Sequence, residues 1–507
     1  MPDIVLTTLN AKFIHAAFGL RYLFANLGEL QSRAVIAEFD INQRPTDIAE
    51  ILLAQNPKII GFGIYIWNVE PAAEVISAIK RIRPDVTIIL GGPEVSYETD
   101  SQPIVQLADH VITGEADLEF AKVCRQILSG EPPKNKVICA PLPEFSQLKL
   151  PYEFYDERDL AHRIIYVEAS RGCPFTCEFC LSSLDIPVRQ VPLEKFLGEM
   201  QKLLDRGVNQ FKFVDRTFNL NLATSRAILE FFLTRHQPGN FYHFEMIPDR
   251  LPDALREIIA KFPPGTLQFE VGIQTFNPQV GQLISRKQDY ARLADNLNFL
   301  RGQTGVHVHA DLIVGLPGET VESFAAGFDQ LIALRPQEIQ VGILKRLRGT
   351  PIIRHDAEWQ MTYNAHPPYE ILQNRLIDFA TLQKLRRFAR YWDLVGNSGN
   401  FVETTPLLWD GEPSAFSAFM HWCEWLHTRI GRTDSIALVR LMELLFEFLT
   451  RERQLDQRRV AEIIWRDYQR GGRHDKPSFL VEFLTEVAPI ARPGKSSAPK
   501  RQSRHLV

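Results

Sequence analysis

Residues 169–180 read Ala169-Ser-Arg-Gly-Cys-Pro-Phe-Thr-Cys-Glu-Phe-Cys180 and directly follow a predicted strand, Ile164–Glu168. Three of the six cysteines in this 507-residue chain fall here, with the spacing Cys-x3-Cys-x2-Cys. Three thiolates on one loop can ligate three corners of an iron–sulfur cubane, which leaves the fourth iron open to a ligand. A zinc site would need a fourth protein ligand, and no Cys or His lies at a suitable spacing. The pattern therefore favours an iron–sulfur cluster over zinc.

The overall composition is that of an ordinary globular protein, with 45% hydrophobic and 23% charged residues. The net charge of −4 gives no strong signal for nucleic-acid binding. No apolar run approaches the roughly 20 residues needed to span a bilayer, so no membrane partner is expected. The amino terminus lacks the pattern of a secretory leader, which predicts a cytoplasmic location. The three scattered cysteines, Cys124, Cys139 and Cys423, are expected to be buried apolar residues rather than ligands.

The first 130 residues alternate apolar runs with amphipathic stretches, which predicts an α/β domain with a parallel sheet. Residues 131–160 are rich in proline and charge and are expected to form a linker. The domain is expected to be Rossmann-like, and ligands of such folds bind beyond the carboxyl ends of the strands. Its five predicted strands are Ile4–Leu9, Ala34–Phe39, Ile59–Ile64, Val86–Leu90 and His110–Thr113.

A second series of strands occupies residues 161–350, and helical patterns separate most of them. Six βα units in this length match a partial (β/α)6 barrel better than a complete eight-unit barrel. Residues 351–490 are predicted to form a helical C-terminal domain, which would close the barrel or form a dimer interface. Residues 491–507 are expected to be a disordered basic tail. The six predicted strands are Ile164–Glu168, Gln210–Val214, Tyr242–Met246, Leu267–Val271, His307–Ile313 and Glu338–Ile343.

The cysteine triplet, with the aromatic Phe179 before its last member, resembles the signature of the radical S-adenosylmethionine (SAM) superfamily. The resemblance implies that Cys173, Cys177 and Cys180 hold a [4Fe–4S] cluster whose unique iron chelates SAM. One electron, from an external donor of the flavodoxin or ferredoxin type, would then cleave SAM into methionine and a 5′-deoxyadenosyl radical. The resemblance therefore implies an enzyme.

The same resemblance implies a set of SAM contacts at the ends of the barrel strands. Asp215 has a structural alternative as a helix N-cap. The segment around Gly315 has one as a tight strand-to-helix turn. Glu270 would be buried, so it is expected to be paired or to face a ligand. The predicted SAM-binding residues are Phe179, Asp215, Asn219, Glu270, Gln274, Val314 and Gly315.

The Rossmann-like domain resembles the cobalamin-binding domain of one subclass of this superfamily. The glycines after its strands would let a flat corrin ring approach the backbone. The Asp-x-His-x-x-Gly motif of other cobalamin proteins is absent, because Phe13 stands in the place of the Asp, so His15 is interpreted as a loop residue. The alternative is a Rossmann-like domain that has lost its cofactor. The predicted cobalamin-binding residues are Asn10, Tyr65, Trp67, Asn68, Gly91, Gly92, Pro93, Glu94, Gly114 and Glu115.

These resemblances imply a cobalamin-dependent radical SAM methyltransferase that acts on an unactivated carbon. A cobalamin-dependent cyclase or rearrangement enzyme is an alternative, and a cobalamin or redox sensor without catalysis is another. A methylthiotransferase is disfavoured, because such enzymes carry a second cysteine triplet before the barrel. No motif identifies the substrate.

Overall fold

The computed structural model describes residues 1–185, 187–484 and 499–505. The chain divides into two compact units. The first comprises Met1–Arg216, Lys345–Ile353 and Asn364–Glu370, and the second comprises Thr217–Leu344, Arg354–Tyr363 and Ile371–Val507. The first unit therefore contains the predicted Rossmann-like domain, the predicted linker and the cysteine triplet.

The first unit contains a parallel sheet of six strands in the order β2-β1-β3-β4-β5-β6. The five strands predicted in residues 1–130 are all present. The sixth was missed, because its three residues lie inside the proline-rich segment that was interpreted as a linker. The strands are β1 (Ile4–Asn10), β2 (Ala34–Asp40), β3 (Ile59–Gly63), β4 (Thr87–Gly91), β5 (His110–Thr113) and β6 (Val137–Cys139).

Both faces of this sheet are buried. Val5 and Leu9 of β1 pack into one apolar core, and Ile4 and Leu6 pack into another. This alternation follows from the two-residue period of a strand, and it explains why β1 reads as a continuous apolar run. The helices that supply these cores are α1 (Phe18–Ala25), α2 (Pro45–Ala54), α3 (Val69–Ile82), α4 (Pro103–Leu107) and α5 (Glu119–Leu128).

One sequence-based prediction in this unit was wrong. Cys139 is exposed on the outer strand β6, not buried as expected, whereas Cys124 and Cys423 are buried.

The rest of the first unit carries the cysteine triplet. The triplet lies between two short antiparallel strands, which follow the first strand of the predicted barrel. We call residues 170–190 the cysteine hairpin. The elements are α6 (Glu157–His162), β7 (Ile165–Val167), β8 (Ser170–Arg171), β9 (Arg189–Gln190), α7 (Leu193–Asp205) and β10 (Gln210–Phe213), and β7 pairs with β10 in parallel.

The second unit continues the alternation of strands and helices. Its four long strands pair in parallel in chain order, so all six strands predicted for the partial barrel are present. The elements are α8 (Leu222–Thr234), β11 (Phe241–Met246), α9 (Asp253–Ile259), β12 (Leu267–Gln274), α10 (Pro278–Leu283), α11 (Tyr290–Gln303), β13 (His307–Val314), α12 (Val321–Leu334) and β14 (Glu338–Ile343).

The C-terminal part is largely helical, as predicted, but it also contains a small antiparallel strand pair after its first short helix. Phe388 and Phe416 join its two longest helices, with ring centroids 4.8 Å apart. The elements are α13 (Asp356–Trp359), β15 (Thr362–Tyr363), β16 (Ile371–Gln373), α14 (Phe379–Val395), α15 (Ala415–Ile430), α16 (Leu438–Glu447), α17 (Gln457–Arg470) and α18 (Lys500–Ser503).

The predicted disordered tail lies only partly within the described residues. Residues 491–498, 506 and 507 fall outside them. Residues 499–505 differ from the prediction, because they include the helix α18 and contact the second unit. Arg501 pairs with Glu338 and Asp393 at 2.8 Å, and Gln502 donates a hydrogen bond to Gln268. Ion pairs with acidic residues of the second unit therefore hold in place a basic segment that its composition predicts to be disordered.

Candidate functional site

The cysteine hairpin has a closed base. Arg171 of β8 lies opposite Arg189 of β9, and the backbone N–H of Cys173 donates to the carbonyl of Asp185 at 3.0 Å. Gly172 has φ 92°, and a Cβ there would lie 2.7 Å from the carbonyl oxygen of Asp185. Only glycine fits that position, so the sequence Arg-Gly-Cys is required by the turn that leads into the cysteine loop.

The three cysteines lie on one short loop of this hairpin. Cys173 and Cys177 are buried, and Cys180 is half-buried. The N–H of Cys180 donates to the carbonyl of Cys177 at 3.1 Å, and the Ser183 hydroxyl donates to the carbonyl of Cys180 at 2.6 Å. Phe179, before the last cysteine, is half-buried, and its SAM contact stays a prediction. The backbone is thus ordered around three soft sulfur donors, a set that fits an iron–sulfur cluster.

Among the described residues, no group of three or more His, Cys, Asp or Glu side chains is arranged to hold one metal ion. A cubane differs from a single-ion site, because each of its cysteine ligands binds a different iron. The two kinds of site therefore require different arrangements of thiolates.

Asp215 holds the start of the hairpin. Its carboxylate accepts hydrogen bonds from the backbone N–H of Ala169 at 3.0 Å and from the Ser170 hydroxyl at 2.6 Å. Burial raises the pKa of Asp215 to about 7, and these two hydrogen bonds act against the rise. The carboxylate does not cap a helix, which was its predicted structural alternative. Its contact with SAM stays a prediction.

Asn219 is buried in the second unit, and its side-chain amide forms three hydrogen bonds with the backbone. It donates to the carbonyls of Ile247 (3.0 Å) and Arg250, and it accepts from the N–H of Ile247 at 2.7 Å. Both amide hydrogens are thus committed to the loop after β11. The structure assigns Asn219 a role in holding that loop, and its predicted SAM contact would use the remaining lone pair of the carbonyl.

The other predicted SAM contacts lie on β12 and β13 or just after them, and Glu270, in the middle of β12, is half-buried and not buried as expected. Glu270 accepts from His243 Nε2 at 3.0 Å, and Gln274 has a left-handed backbone (φ 73°) at a shift in strand register. Val314 is buried, and Gly315 has φ 89° with a would-be Cβ 2.7 Å from Ile371. A non-glycine residue with positive φ is often a feature of a functional site, and the SAM contact of Gln274 stays a prediction.

Glu319, in the turn after β13, was not among the predicted site residues. It is only 2% exposed, and its carboxylate accepts hydrogen bonds from Thr275 at 2.6 Å and Ser323 at 3.4 Å. Burial raises its pKa to about 7, although both hydroxyls favour the charged form. This carboxyl group therefore joins the end of β12 to the start of α12.

We expect Glu319→Gln to remove a pH-dependent loss of stability. Because the folded protein binds this proton more tightly than the unfolded chain, the wild type loses stability as pH rises from about 4.5 to 7. The shift in pKa corresponds to about 3 kcal/mol of unfolding free energy. The Glu319→Gln variant would not lose this stability, because its amide does not titrate. Urea denaturation at pH 5 and pH 8 measures the difference. A variant whose stability falls with pH as steeply as the wild type's would contradict the assignment.

The first unit contains a cavity of about 280 Å³ at the carboxyl ends of β3, β4 and β5. Four of the predicted cobalamin contacts line it: Tyr65, Gly91, Gly92 and Gly114. At Gly92 (φ 106°) a Cβ would lie 2.5 Å from the carbonyl oxygen of Ile64, so a side chain cannot replace the glycine. The remaining lining residues are Phe18, Gly19, Leu20, Tyr22, Leu23, Gly61, Phe62, Gly63, Ile89, Leu90, Ile112, Ala116, Asp117, Phe120, Glu168 and Arg171.

The other predicted cobalamin contacts do not line this cavity. Asn68 is fully buried and donates to Thr8, Leu9 and Gly63, so it holds loops together. The exposed Trp67 stacks on the cavity residue Tyr65, with centroids 4.5 Å apart. The remaining side chains have protein partners or lie in the adjoining turn: Asn10 with Glu38, Glu94 with Arg348 and Tyr369, Glu115 with Arg171 and Arg189, and the exposed Pro93.

Sequence reasoning missed the residues that reach the cavity from α1, α5 and the end of β7. The sequence around Phe18 and Tyr22 does not mark them as cavity residues, since an aromatic residue on a helix usually packs in a core. Glu168 and Arg171 were read only as neighbours of the cysteines. His15, in the loop after β1, contacts the hydroxyl of Tyr166 at 2.5 Å through Nδ1.

The lining of the cavity suits an organic cofactor. Glycines remove side chains from the strand ends, and aromatic rings form much of the remaining wall. Three charged side chains, those of Asp117, Glu168 and Arg171, also reach it. Among the residues that the structure describes, no helix combines the length and apolarity needed to cross a bilayer.

Three families match successive parts of the chain. The B12 binding domain matches residues 4–123, and the radical SAM superfamily matches residues 167–331. A family of unknown function (DUF4080) matches residues 357–492. The first match covers the sheet that contains the cavity, and the second includes the cysteine hairpin from its first strand onward.

The proteins to which this chain is similar include methyltransferases and a cobalamin-dependent SAM radical enzyme. An uncharacterized methyltransferase of Pyrococcus horikoshii is 24% identical over 336 residues, which are 61% of this chain and 71% of the relative. The cobalamin-dependent radical SAM methyltransferase TokK of Streptomyces tokunonensis is 24% identical over 58% of this chain and 48% of its own. The structure of OxsB, a cobalamin-dependent SAM radical enzyme with aqua-cobalamin and SAM bound, matches with TM-score 0.62 and 12% identity. That match covers 100% of this chain and 84% of OxsB, so the fold is shared.

The cysteine hairpin fits the cluster, and the glycine-lined cavity fits the second cofactor, in the two regions that the family matches assign to them. The cofactors are therefore a [4Fe–4S] cluster, SAM and cobalamin. Residues 4–123 match the B12 binding domain and residues 167–331 match the radical SAM superfamily, so the chain is a radical SAM enzyme with an amino-terminal cobalamin-binding domain.

Proposed function

We propose that this enzyme is a cobalamin-dependent methyltransferase that methylates an unactivated carbon atom. The observation that carries the proposal is the glycine-lined cavity, which lies in the same compact unit as the cysteine hairpin. When bound, the cluster and SAM supply a radical that removes hydrogen from carbon, and cobalamin supplies the methyl group. Similarity to TokK, which is named as a methyltransferase, supports methyl transfer.

We assign the cluster to Cys173, Cys177 and Cys180, whose thiolates lie on one ordered loop. Asp215 orients this loop through its bonds to Ala169 and Ser170. The buried positions of Cys173 and Cys177 keep water away from their sulfur atoms. We propose that the residues predicted to contact SAM bind this cofactor, and that a flavodoxin- or ferredoxin-type protein supplies the electron.

The cavity residues orient cobalamin by shape more than by charge. Gly91, Gly92 and Gly114 let the cofactor approach the backbone, and Tyr65 presents an aromatic wall. Trp67 extends this wall, because it stacks on Tyr65.

The test uses anaerobically purified protein with a reconstituted cluster, hydroxocobalamin, dithionite and SAM with a deuterated methyl group. A methyltransferase converts one SAM to S-adenosylhomocysteine and cleaves another to methionine and 5′-deoxyadenosine. We expect about four irons and one cobalt per chain, together with both SAM products. Formation of 5′-deoxyadenosine without S-adenosylhomocysteine would contradict methyl transfer and favour a cyclase or rearrangement enzyme. Formation of neither product would favour a sensor.

A further inference from the structure

Arg171 lies between the cysteine hairpin and the cavity. It belongs to β8, two residues before Cys173, and it also lines the cavity. Its side chain is 14% exposed, and its Nε donates to Glu168 at 2.8 Å. Nη1 donates to Glu115 at 2.8 Å and to Asp117 at 2.9 Å, and Nη2 donates to Asp117 at 3.1 Å. One side chain thus connects the end of β7 with the loop that follows β5.

A second arginine strengthens the same connection from the opposite strand of the hairpin. Arg189 of β9 also binds Glu115, with Nη1 3.2 Å from the carboxylate, and it donates to the carbonyl of Pro143 at 3.0 Å. Glu115 therefore bridges the two strands at the base of the cysteine hairpin. Since the cysteine loop starts and ends at these strands, its base is attached to the β5 loop on both sides.

Aromatic rings fix the orientation of the Arg171 guanidinium. It lies over the ring of Tyr22 at 4.4 Å and over the ring of Phe145 at 5.2 Å. Tyr22 and Asp117 line the cavity together with Arg171. The guanidinium of arginine is planar and carries five N–H donors in a fixed arrangement, so it can bind three carboxylates while it stacks on aromatic rings. The ammonium group of lysine cannot do both.

We propose that Arg171 is a positioning residue that couples the cysteine hairpin to the cobalamin cavity, a role that rests on the proposed function. The link fixes where the thiolates lie relative to the cofactor. Cluster binding restrains the hairpin further, and Arg171 transmits this restraint to the β5 loop, so cobalamin then binds to a wall that moves less. Two ligands connected in this way raise each other's affinity.

The test measures hydroxocobalamin affinity by absorbance titration, with and without a reconstituted cluster. In the wild type we expect reconstitution to tighten binding about tenfold. In Arg171→Met this ratio falls to about one. Arg171→Lys keeps the charge but not the fork, so its ratio also falls close to one while its thermal unfolding stays near that of the wild type.

The matched control is Arg21→Met. Arg21 is also buried in the first unit, with 4% of its side chain exposed against 14% for Arg171. It pairs with Glu38 (2.8 Å) and Asp159 (2.5 Å) and lies over the Tyr155 ring, but it does not line the cavity. Its variant keeps the tenfold ratio. If neither Arg171 variant folds, Glu115→Gln breaks the same link from the carboxylate side and lowers the ratio.

A wild-type ratio of one, an unchanged ratio in Arg171→Lys, or an equal loss in Arg21→Met would overturn the positioning role. These results differ from a failure of the proposed function, in which wild-type protein binds neither iron nor hydroxocobalamin. That failure would remove the basis for the coupling as well.

Discussion

Replacement of Cys177 by alanine is expected to abolish both cluster assembly and SAM cleavage. Cys177 is the central member of the triplet and is buried in the cysteine hairpin. Two remaining thiolates cannot hold a cubane, so iron content should fall from about four atoms per chain toward zero. The loss of 5′-deoxyadenosine should exceed the roughly 10- to 100-fold effects seen when only a residue that orients a ligand is changed. Iron analysis, the visible absorbance of reconstituted protein and chromatography of the nucleoside measure these changes.

The chain offers two matched controls for this variant. Cys124 is buried on α5 and Cys139 is exposed on β6, and both are distant in sequence from the triplet. Their alanine variants should keep the wild-type iron content and cleavage rate. Full cleavage by Cys177→Ala, or loss of iron in Cys139→Ala, would show that the cluster is held elsewhere.

A leucine at Gly91 is expected to prevent cobalamin binding. Gly91 ends β4 and lines the cavity, where a Cβ would meet only the carbonyl oxygen of Ile112, at 3.7 Å. That distance is an ordinary contact, so the backbone tolerates a side chain. The four added carbons would occupy space that the cofactor needs, and we expect hydroxocobalamin affinity to fall about 100-fold or more, or about 2.7 kcal/mol. Absorbance titration of the anaerobic protein measures this affinity.

Three comparisons separate a blocked cavity from a damaged fold. Gly198→Leu places the same side chain on the exposed surface of α7, where a Cβ meets nothing within 4 Å, and should leave binding unchanged. Gly91→Ala adds one carbon and should weaken binding less than leucine does. Urea unfolding should show that Gly91→Leu loses no more than the roughly 1–3 kcal/mol typical of overpacking. Wild-type affinity in folded Gly91→Leu would exclude this cavity as the cobalamin site.

The Rossmann-like sheet was predictable because its signal is local. Apolar runs such as Ile59–Gly63 alternate with amphipathic helices such as α3, whose buried residues recur every three or four positions. Glycine pairs such as Gly91-Gly92 marked the strand ends. Strand β6 gave no comparable signal. Its three residues are half exposed, and only pairing with β5 makes them a strand.

Individual contact residues were harder to predict than the site itself. Glu94 and Glu115 follow strands at the expected edge, yet their carboxylates bind arginines distant in sequence, Arg348 and Arg171. A carboxylate after a strand can serve a ligand or an ion pair, and the pattern is the same in both cases. The choice depends on whether a cation from another segment reaches it.

The sequence alone determined the cysteine spacing, the glycines at the strand ends and the order of strands and helices, because these features depend on near neighbours in the chain. The tertiary structure alone decided which side chains face the cavity and which are committed to ion pairs. Arg171 illustrates the difference. The cysteines next to it in the sequence predict an iron–sulfur cluster, whereas the proposed role of Arg171 depends on carboxylates more than 50 positions away. Tertiary packing determines which distant residues come into contact, and such contacts produce no repeating pattern in the sequence from which they could be predicted.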